Sequence, residues 1–184
     1  METYEVEITG IAPLMFNRPT ADAVRGLEPG SKSKKREDAA GREAEAMERL
    51  FIGVDGLLGA TARQIKRSML DGASMGTIKI GRKSAIGYLK AAVMVSDGTF
   101  GVKAPDRIVE DIVRIPPHTG GLILKAWPLL EPGWILRFRI TLLQPSIVGA
   151  SVARAALDAA GLLSGLGTAR PEYGRYTVTK WQRT

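Results

Sequence analysis

The sequence GLGTARPEYGRY, residues 165–176, separates an alanine-rich stretch with helical spacing from a final stretch that alternates like a β-strand. We name these twelve residues the glycine loop, because three of them are glycines. Glycine lets main-chain N–H groups approach a ligand closely. The two arginines add permanent cations with a planar fork that suits phosphate. The loop is therefore either an anion-binding site or a structural turn between a helix and a strand, and both hypotheses stay open here.

The residues before the glycine loop predict a strand and then a helix. Apolar and polar side chains alternate over residues 134–143, which indicates a strand with one buried face. Ser146 is expected to cap a helix in which small and apolar residues recur at near-helical spacing up to Leu163. Gly165 or Gly167 is expected to end that helix. Residues after the loop alternate again and predict a last strand.

The N-terminal part of the chain adds one strand and two helices. Residues 3–9 alternate between polar and apolar side chains, which predicts a first strand. Apolar residues at helical spacing predict a helix over residues 39–51. Thr61 and Gln64 have the spacing of a capping box, so a helix with a basic outer side is expected to run from there to about Leu70.

The middle of the chain, about residues 76–130, is expected to be rich in β-strands. The Asp97-Gly98 pair is its strongest turn signal and predicts a hairpin between strands at residues 91–96 and 99–103. Two further strands are expected at residues 108–115 and 122–126, separated by a pair of prolines.

These elements in order predict a single α+β domain over residues 1–184. Helices would cover one face of an antiparallel sheet, as in a ferredoxin-like fold. A basic loop at about residues 17–38 and a β-rich insertion at about residues 76–130 would interrupt that core. Arginine and threonine residues on the strands are expected to make the uncovered face polar and basic.

Composition limits the classes of function. A chain of 184 residues with 24% charged and 45% hydrophobic residues fits an ordinary globular domain. It has no cysteine, which excludes disulfides, iron–sulfur clusters and cysteine-based zinc sites. We expect a cytoplasmic protein without a membrane partner, because there is no apolar run of spanning length and no signal-like N-terminus. The net charge of +7 favours an acidic partner, of which nucleic acid is the commonest.

The sequence contains near matches to two phosphate-binding motifs, and neither match holds. The glycines of the loop follow a helix and precede a strand, which is the reverse of the order in a dinucleotide-binding fingerprint. Gly76 and Gly81 have the spacing of a P-loop, but the lysine at position 83 comes one residue too late.

Residues 133–181, together with the strand at 3–9, resemble the C-terminal signature of the RAMP superfamily. The resemblance rests on the strand GWILRFRITLL, a helix, and the glycine loop that leads into a final strand. That superfamily comprises ferredoxin-like RNA-binding proteins of CRISPR systems. The same residues are also similar to phage and prophage proteins with a G-φ-G-x-x-RP…GR-φ motif. The resemblance implies a surface that holds single-stranded nucleic acid, self-association along the strand, and a phage or mobile-element origin.

We therefore expect a non-enzymatic, sequence-tolerant protein that binds single-stranded nucleic acid and needs no cofactor or metal. Trp181 is placed on the face of Arg175, Thr177 and Thr179, where it would either stack on a base or pack at a domain edge or subunit contact. The expected binding residues are basic or belong to the glycine loop: Arg18, Lys34, Lys35, Arg36, Arg63, Arg67, Arg137, Arg139, Gly165, Gly167, Arg170, Gly174 and Arg175.

Two other functions stay open. His118 is the only histidine, and the resemblance allows a metal-independent RNA endonuclease in which this imidazole acts as general base toward a ribose 2′-hydroxyl. A structural or adaptor protein, with an incidental basic charge, is the third hypothesis.

Overall fold

The computed structural model describes residues 1–18, 39–114 and 122–184. Lys34, Lys35, Arg36 and His118 lie outside the described residues. The helices in the described part are α1 (Ala39–Glu48), α2 (Ala62–Met75), α3 (Ile86–Ala92) and α4 (Ala150–Leu163). The strands are β1 (Glu2–Gly10), β2 (Leu14–Met15), β3 (Gly59–Ala60), β4 (Lys79–Ile80), β5 (Lys83–Ser84), β6 (Val93–Val95), β7 (Gly98–Thr99), β8 (Arg107–Arg114), β9 (Leu122–Leu130), β10 (Ile135–Leu142) and β11 (Tyr176–Arg183).

The main sheet consists of six strands in antiparallel pairs. Its order is β11–β1–β10–β7–β3, and β6 also pairs with β10. The first strand of the chain therefore lies between two strands from its C-terminal third. Alternate residues of β1 and β10 are buried, which confirms the strands predicted from alternation at residues 3–9 and 134–143.

Helices α2 and α4 pack together on one face of this sheet, where their buried residues join the apolar side chains of β1 and β10 in one core. The two helices approach closely at Gly72, because a Cβ atom there would lie 2.3 Å from the Ala160 nitrogen. The predicted capping box is present: the Thr61 hydroxyl accepts from the Gln64 amide at 3.2 Å. The helix continues past the predicted end to Met75, because its last turns still pack against α4.

The start of α4 differs from the prediction. The residue before its first turn is Gly149, and Ser146 makes no cap. Ser146 lies instead in a turn that follows Pro145, in which the amides of Ile147 and Val148 both donate to the Gln144 carbonyl at 3.0 Å. The turn removes these residues from the helix.

The predicted hairpin at Asp97-Gly98 is wrong. Gly98 itself begins β7, and strands β6 and β7 do not pair with each other, because each pairs with β10. The Asp97 carboxylate has a different role: it accepts a hydrogen bond of 2.6 Å from the Ala62 amide at the start of α2. Residues 91 and 92, expected in a strand, belong to α3.

Strands β8 and β9 confirm the predicted pair around the prolines and form a second sheet with β2. Helix α1 contacts β9. Strands β4 and β5 make a separate two-stranded hairpin. The segment at 76–130 thus supplies strands to three sheets and also contains α3. No helix in the described part of the chain is long and apolar enough to cross a membrane.

Candidate nucleic-acid interface

The glycine loop begins where α4 ends and needs three backbone conformations that favour glycine. Gly165 and Gly167 both have φ of 79°, and Gly174 has φ of 76°. Gly165 follows the last helical turn, and its amide donates to the Ala160 carbonyl at 2.6 Å, which agrees with its expected role at the helix end. A Cβ atom at Gly174 would lie 1.8 Å from the Leu166 carbonyl oxygen, so only glycine fits there.

Most of the loop amides seen in hydrogen bonds point back into the protein. The Leu166 amide donates to the Gly174 carbonyl at 2.8 Å and closes the loop on itself. The amides of Thr168 and Gly174 donate to the carbonyls of Met15 and Pro13 at 3.1 and 2.7 Å, which ties the loop to the chain after β1. These amides cannot also bind phosphate, and the geometry explains the glycines by backbone shape and close approach.

The two loop arginines are held by protein oxygens. The Arg170 Nη1 donates to the Ser164 hydroxyl at 3.1 Å and lies 3.3 Å from an Asp71 carboxylate oxygen on α2. The Arg175 Nε donates to the Pro171 carbonyl at 2.8 Å. Arg170 keeps 31% of its side chain exposed. Each guanidinium therefore has both a structural partner and a part that faces solvent.

The open face of the main sheet is polar, but its charges are mixed. Arg137 on β10 forms an ion pair of 2.9 Å with Glu7 on β1. Lys180 on β11 forms one of 3.0 Å with Glu5. Arg139 lies opposite Glu5 in the strand register. Three cations thus share the face with two carboxylates, because β1 places its glutamates between the two basic strands.

Trp181 does not lie on this open face. The pairing of β1 with β11 shifts between Glu7 and Ile8, so that Glu7 faces Lys180 and Ile8 faces Val178. The extra residue at this bulge reverses the alternation and turns Trp181 toward the core side, where its ring packs 5.2 Å from that of Tyr4. The predicted face of Trp181 is therefore wrong, and its ring has a packing role.

Arg18 has an exposed side chain. Its guanidinium carbon lies 5.8 Å from the centre of the Phe51 ring, within the range of a cation–π contact. Its amide donates to the Arg49 carbonyl at 3.1 Å.

Among the described residues, positive charge is concentrated in residues 61–96, which we name the basic segment. This segment spans α2, the β4–β5 hairpin and α3. It contains seven lysines and arginines and a single acidic residue, Asp71, which pairs with Arg67 at 2.9 Å and with Arg170. Arg63 and Arg67 were predicted to bind; the other cations of the segment were missed: Lys66, Lys79, Arg82, Lys83 and Lys90. The excess of basic over acidic residues in this stretch is the sequence signal that could have identified these cations.

Lys66 differs from the other cations of the segment, because its ammonium is used inside the fold. Its Nζ donates to the carbonyls of Lys90 and Val93 at 2.8 and 2.7 Å, which attaches the end of α3 to α2. Burial, and to a smaller degree the charge of Lys90, lowers the pKa of Lys66 below its usual range.

None of the eleven aromatic residues is exposed. The three tryptophans, four tyrosines and four phenylalanines all lie in the described part of the chain. Each is either buried or of intermediate exposure. Among the half-buried rings, Trp181 packs on Tyr4 and Phe51 lies against Arg18. The surface is thus rich in cations and poor in flat rings.

Comparison with known proteins identifies the fold. No protein-family model matches the sequence, and neither does any curated protein. A chain in a solved structure, described as the cryo-EM structure of the Type III-B Cmr-beta bound to cognate target RNA, has a similar fold with a TM-score of 0.54 and 15% sequence identity. The match covers 99% of this chain and 60% of that chain. The fold is of the ferredoxin-like RAMP type. The predicted fold class is confirmed.

This RAMP-type fold brings only some of the expected binding residues together. Arg170 approaches α2 through Asp71 and so joins the glycine loop to the side of the basic segment. Arg137 and Arg139 lie on the opposite, open face of the sheet, and Arg18 lies beside Phe51. In the described residues there is no group of three or more acidic, histidine or cysteine side chains arranged to hold a metal ion.

Proposed function

We propose that this protein binds single-stranded nucleic acid without sequence preference and without catalysing a reaction on it. The observation that carries the proposal is the basic segment, in which seven cations accompany one carboxylate that is already paired. Clustered lysines and arginines bind phosphates and release counterions, and they do so whatever the base sequence. The likeness to a chain in an RNA-bound complex supports nucleic acid over other polyanions.

Phage or mobile-element origin and self-association along the strand belong to the same proposal. They rest on the resemblance of the strand, helix and glycine loop at residues 133–181 to the RAMP superfamily and to phage and prophage proteins. The two loop arginines keep partly exposed guanidinium groups, which supports a role for them in phosphate contact.

The test is fluorescence anisotropy with labelled 20-nucleotide single strands of RNA and DNA, titrated at several salt concentrations. Binding that neutralises about four phosphates should give a slope of log affinity against log salt near −3. Related strands of different base sequence should bind within about threefold of one another, because phosphate contacts carry no sequence information. Lack of binding at low salt would remove the proposal and leave the structural or adaptor hypothesis.

A further inference from the structure

We infer that the protein holds its nucleic acid by the sugar–phosphate backbone on the helix side of the molecule, with the β4–β5 hairpin as the main contact, and not by stacking bases on the open sheet. The inference rests on the proposed function and specifies its substrate contact. Three observations carry it: the placement of unpaired cations, the ion pairs on the sheet, and the exposure of the aromatic rings.

The hairpin carries three exposed cations within five residues. Lys79, Arg82 and Lys83 all point to solvent, and no carboxylate of the described chain forms an ion pair with them. Gly81 at the turn has φ of 61° and open space around it, so a ligand can approach the backbone there closely. Unpaired cations need give up no protein partner when they bind phosphate.

The hairpin is fixed at one end of α2, and α3 runs back along that helix. The Ile78 amide donates to the Ala73 carbonyl at 3.0 Å, and the Ala85 amide donates to the Ile78 carbonyl at 2.9 Å. Lys66 attaches the end of α3 seven residues earlier on α2, or about 10 Å along the helix axis. Lys90 therefore lies toward one end of α2 and the hairpin toward the other, so the exposed cations are spread along this helix.

The open sheet face is less suited to either kind of contact. Arg137 is already paired with Glu7, and Lys180 is paired with Glu5, so phosphate would have to compete with these carboxylates. Arg139 has no ion pair with a described residue but lies opposite Glu5 in the strand register. No exposed aromatic ring lies on this face, since none of the eleven aromatic residues is exposed. Stacking on aromatic rings is the usual way for a protein to hold bases of a single strand.

The first experiment compares two labelled strands of equal length in the anisotropy assay: 20-nucleotide oligo-dT and a 20-unit abasic phosphodiester. The abasic strand retains every phosphate and loses every base. Backbone recognition predicts Kd values that agree within about threefold, because phosphate contacts supply the affinity. A loss of more than about tenfold on the abasic strand would show that bases are held and would overturn the inference.

The second experiment locates the contact. The triple variant Lys79→Ala, Arg82→Ala, Lys83→Ala should bind oligo-dT at least about tenfold more weakly at low salt, and its log–log salt slope should become shallower by about 2. All three side chains are exposed, so the thermal transition in circular dichroism should be unchanged. The single substitution Lys90→Glu independently tests whether the same surface binds oligo-dT.

The control, matched in net charge, removes three exposed cations elsewhere, of which Arg154 and Arg183 are paired with Asp158 and Glu2: Lys103→Ala, Arg154→Ala and Arg183→Ala. Its affinity for oligo-dT should fall less than about threefold, since it has the same net charge as the hairpin variant but an intact hairpin. A competing variant, Arg137→Ala with Arg139→Ala, tests the open face. If this variant or the control loses as much affinity as the hairpin variant, the hairpin is not the main contact. If the parent protein binds neither strand, the proposed function itself fails, which the variants alone would not show.

Discussion

Arg137 of β10 and Glu7 of β1 lie opposite each other on the open face of the main sheet, and their side chains form an ion pair of 2.9 Å. The Arg137 side chain is 56% exposed, so water and salt screen the pair. We predict that Glu7→Gln lowers the free energy of unfolding by less than about 1 kcal/mol. Urea denaturation at low and high salt measures this, and the difference from the parent should shrink as salt rises.

The same substitution tests whether the open face holds nucleic acid. Removal of the carboxylate frees Arg137 and raises the net charge of this face. Affinity for oligo-dT should still change by less than about threefold, because the strand lies on the helix side. A tenfold gain in affinity would place the strand on the sheet.

Gly174→Ala should be severely destabilising, because the glycine loop is a structural connection. The new Cβ would have to fit 1.8 Å from the Leu166 carbonyl oxygen at a residue with φ of 76°. We expect a loss of more than about 3 kcal/mol in the free energy of unfolding, measured by urea denaturation. Gly56→Ala is the matched control: its φ is 74°, but no atom lies within 4 Å of the added Cβ.

The Gly56→Ala control should lose only about 1 kcal/mol in the free energy of unfolding, which is the cost of left-handed backbone in a residue with a side chain. Equal losses in the two variants would mean that the loop backbone shifts easily, and that the close approach of Gly174 to Leu166 is not what selects glycine there.

Local patterns predicted the parts of the fold that depend on neighbouring residues. The alternation at residues 3–9 and the capping box at Thr61 were confirmed, because both are set by side chains a few positions apart. The predictions that failed depended on distant partners. Asp97 looked like a hairpin turn, yet its carboxylate binds the start of α2. Trp181 was placed on the wrong face because a bulge against β1 reverses the alternation.

The candidate site was predicted in part for a similar reason. Arg63 and Arg67 were found because they recur on the outer side of a recognisable helix. Lys79 and Lys83 were missed, because strands of two residues leave no periodic pattern. The ion pair of Arg137 was also hidden, since its partner Glu7 is 130 residues away in the sequence.

Tyr176 gives a prediction about pH. Its side chain is 1% exposed, and burial raises the pKa of its phenol well above the usual range, against a smaller opposing effect of the hydrogen bond with Ser68. The unfolded chain ionises its tyrosines near pH 10. The folded state keeps this phenol protonated, so its contribution to stability is present below about pH 10 and is lost as the pH rises toward the folded pKa.

We therefore expect the free energy of unfolding to fall more steeply above about pH 10 in the parent than in Tyr176→Phe. Near neutral pH the substitution should lower the free energy of unfolding only slightly, because Ser68 keeps its hydrogen bond of 2.8 Å to the Gly165 carbonyl. Urea denaturation from pH 7 to pH 11 measures both curves. Parallel curves would mean that this phenol ionises as freely in the folded protein as in the unfolded chain.

The proposal of a binding protein without catalysis is tested most directly through His118, the only histidine. The endonuclease hypothesis assigns this imidazole the role of general base toward a ribose 2′-hydroxyl. Such a base contributes about 10²- to 10⁴-fold to the rate, an effect that one substitution exposes.

We predict that the purified protein leaves single-stranded and hairpin RNA intact over hours, with or without magnesium. We also predict that His118→Ala binds oligo-dT as the parent does. Site-specific cleavage that disappears in His118→Ala would establish the endonuclease, whereas cleavage that persists in the variant would indicate a contaminating nuclease or another catalytic group.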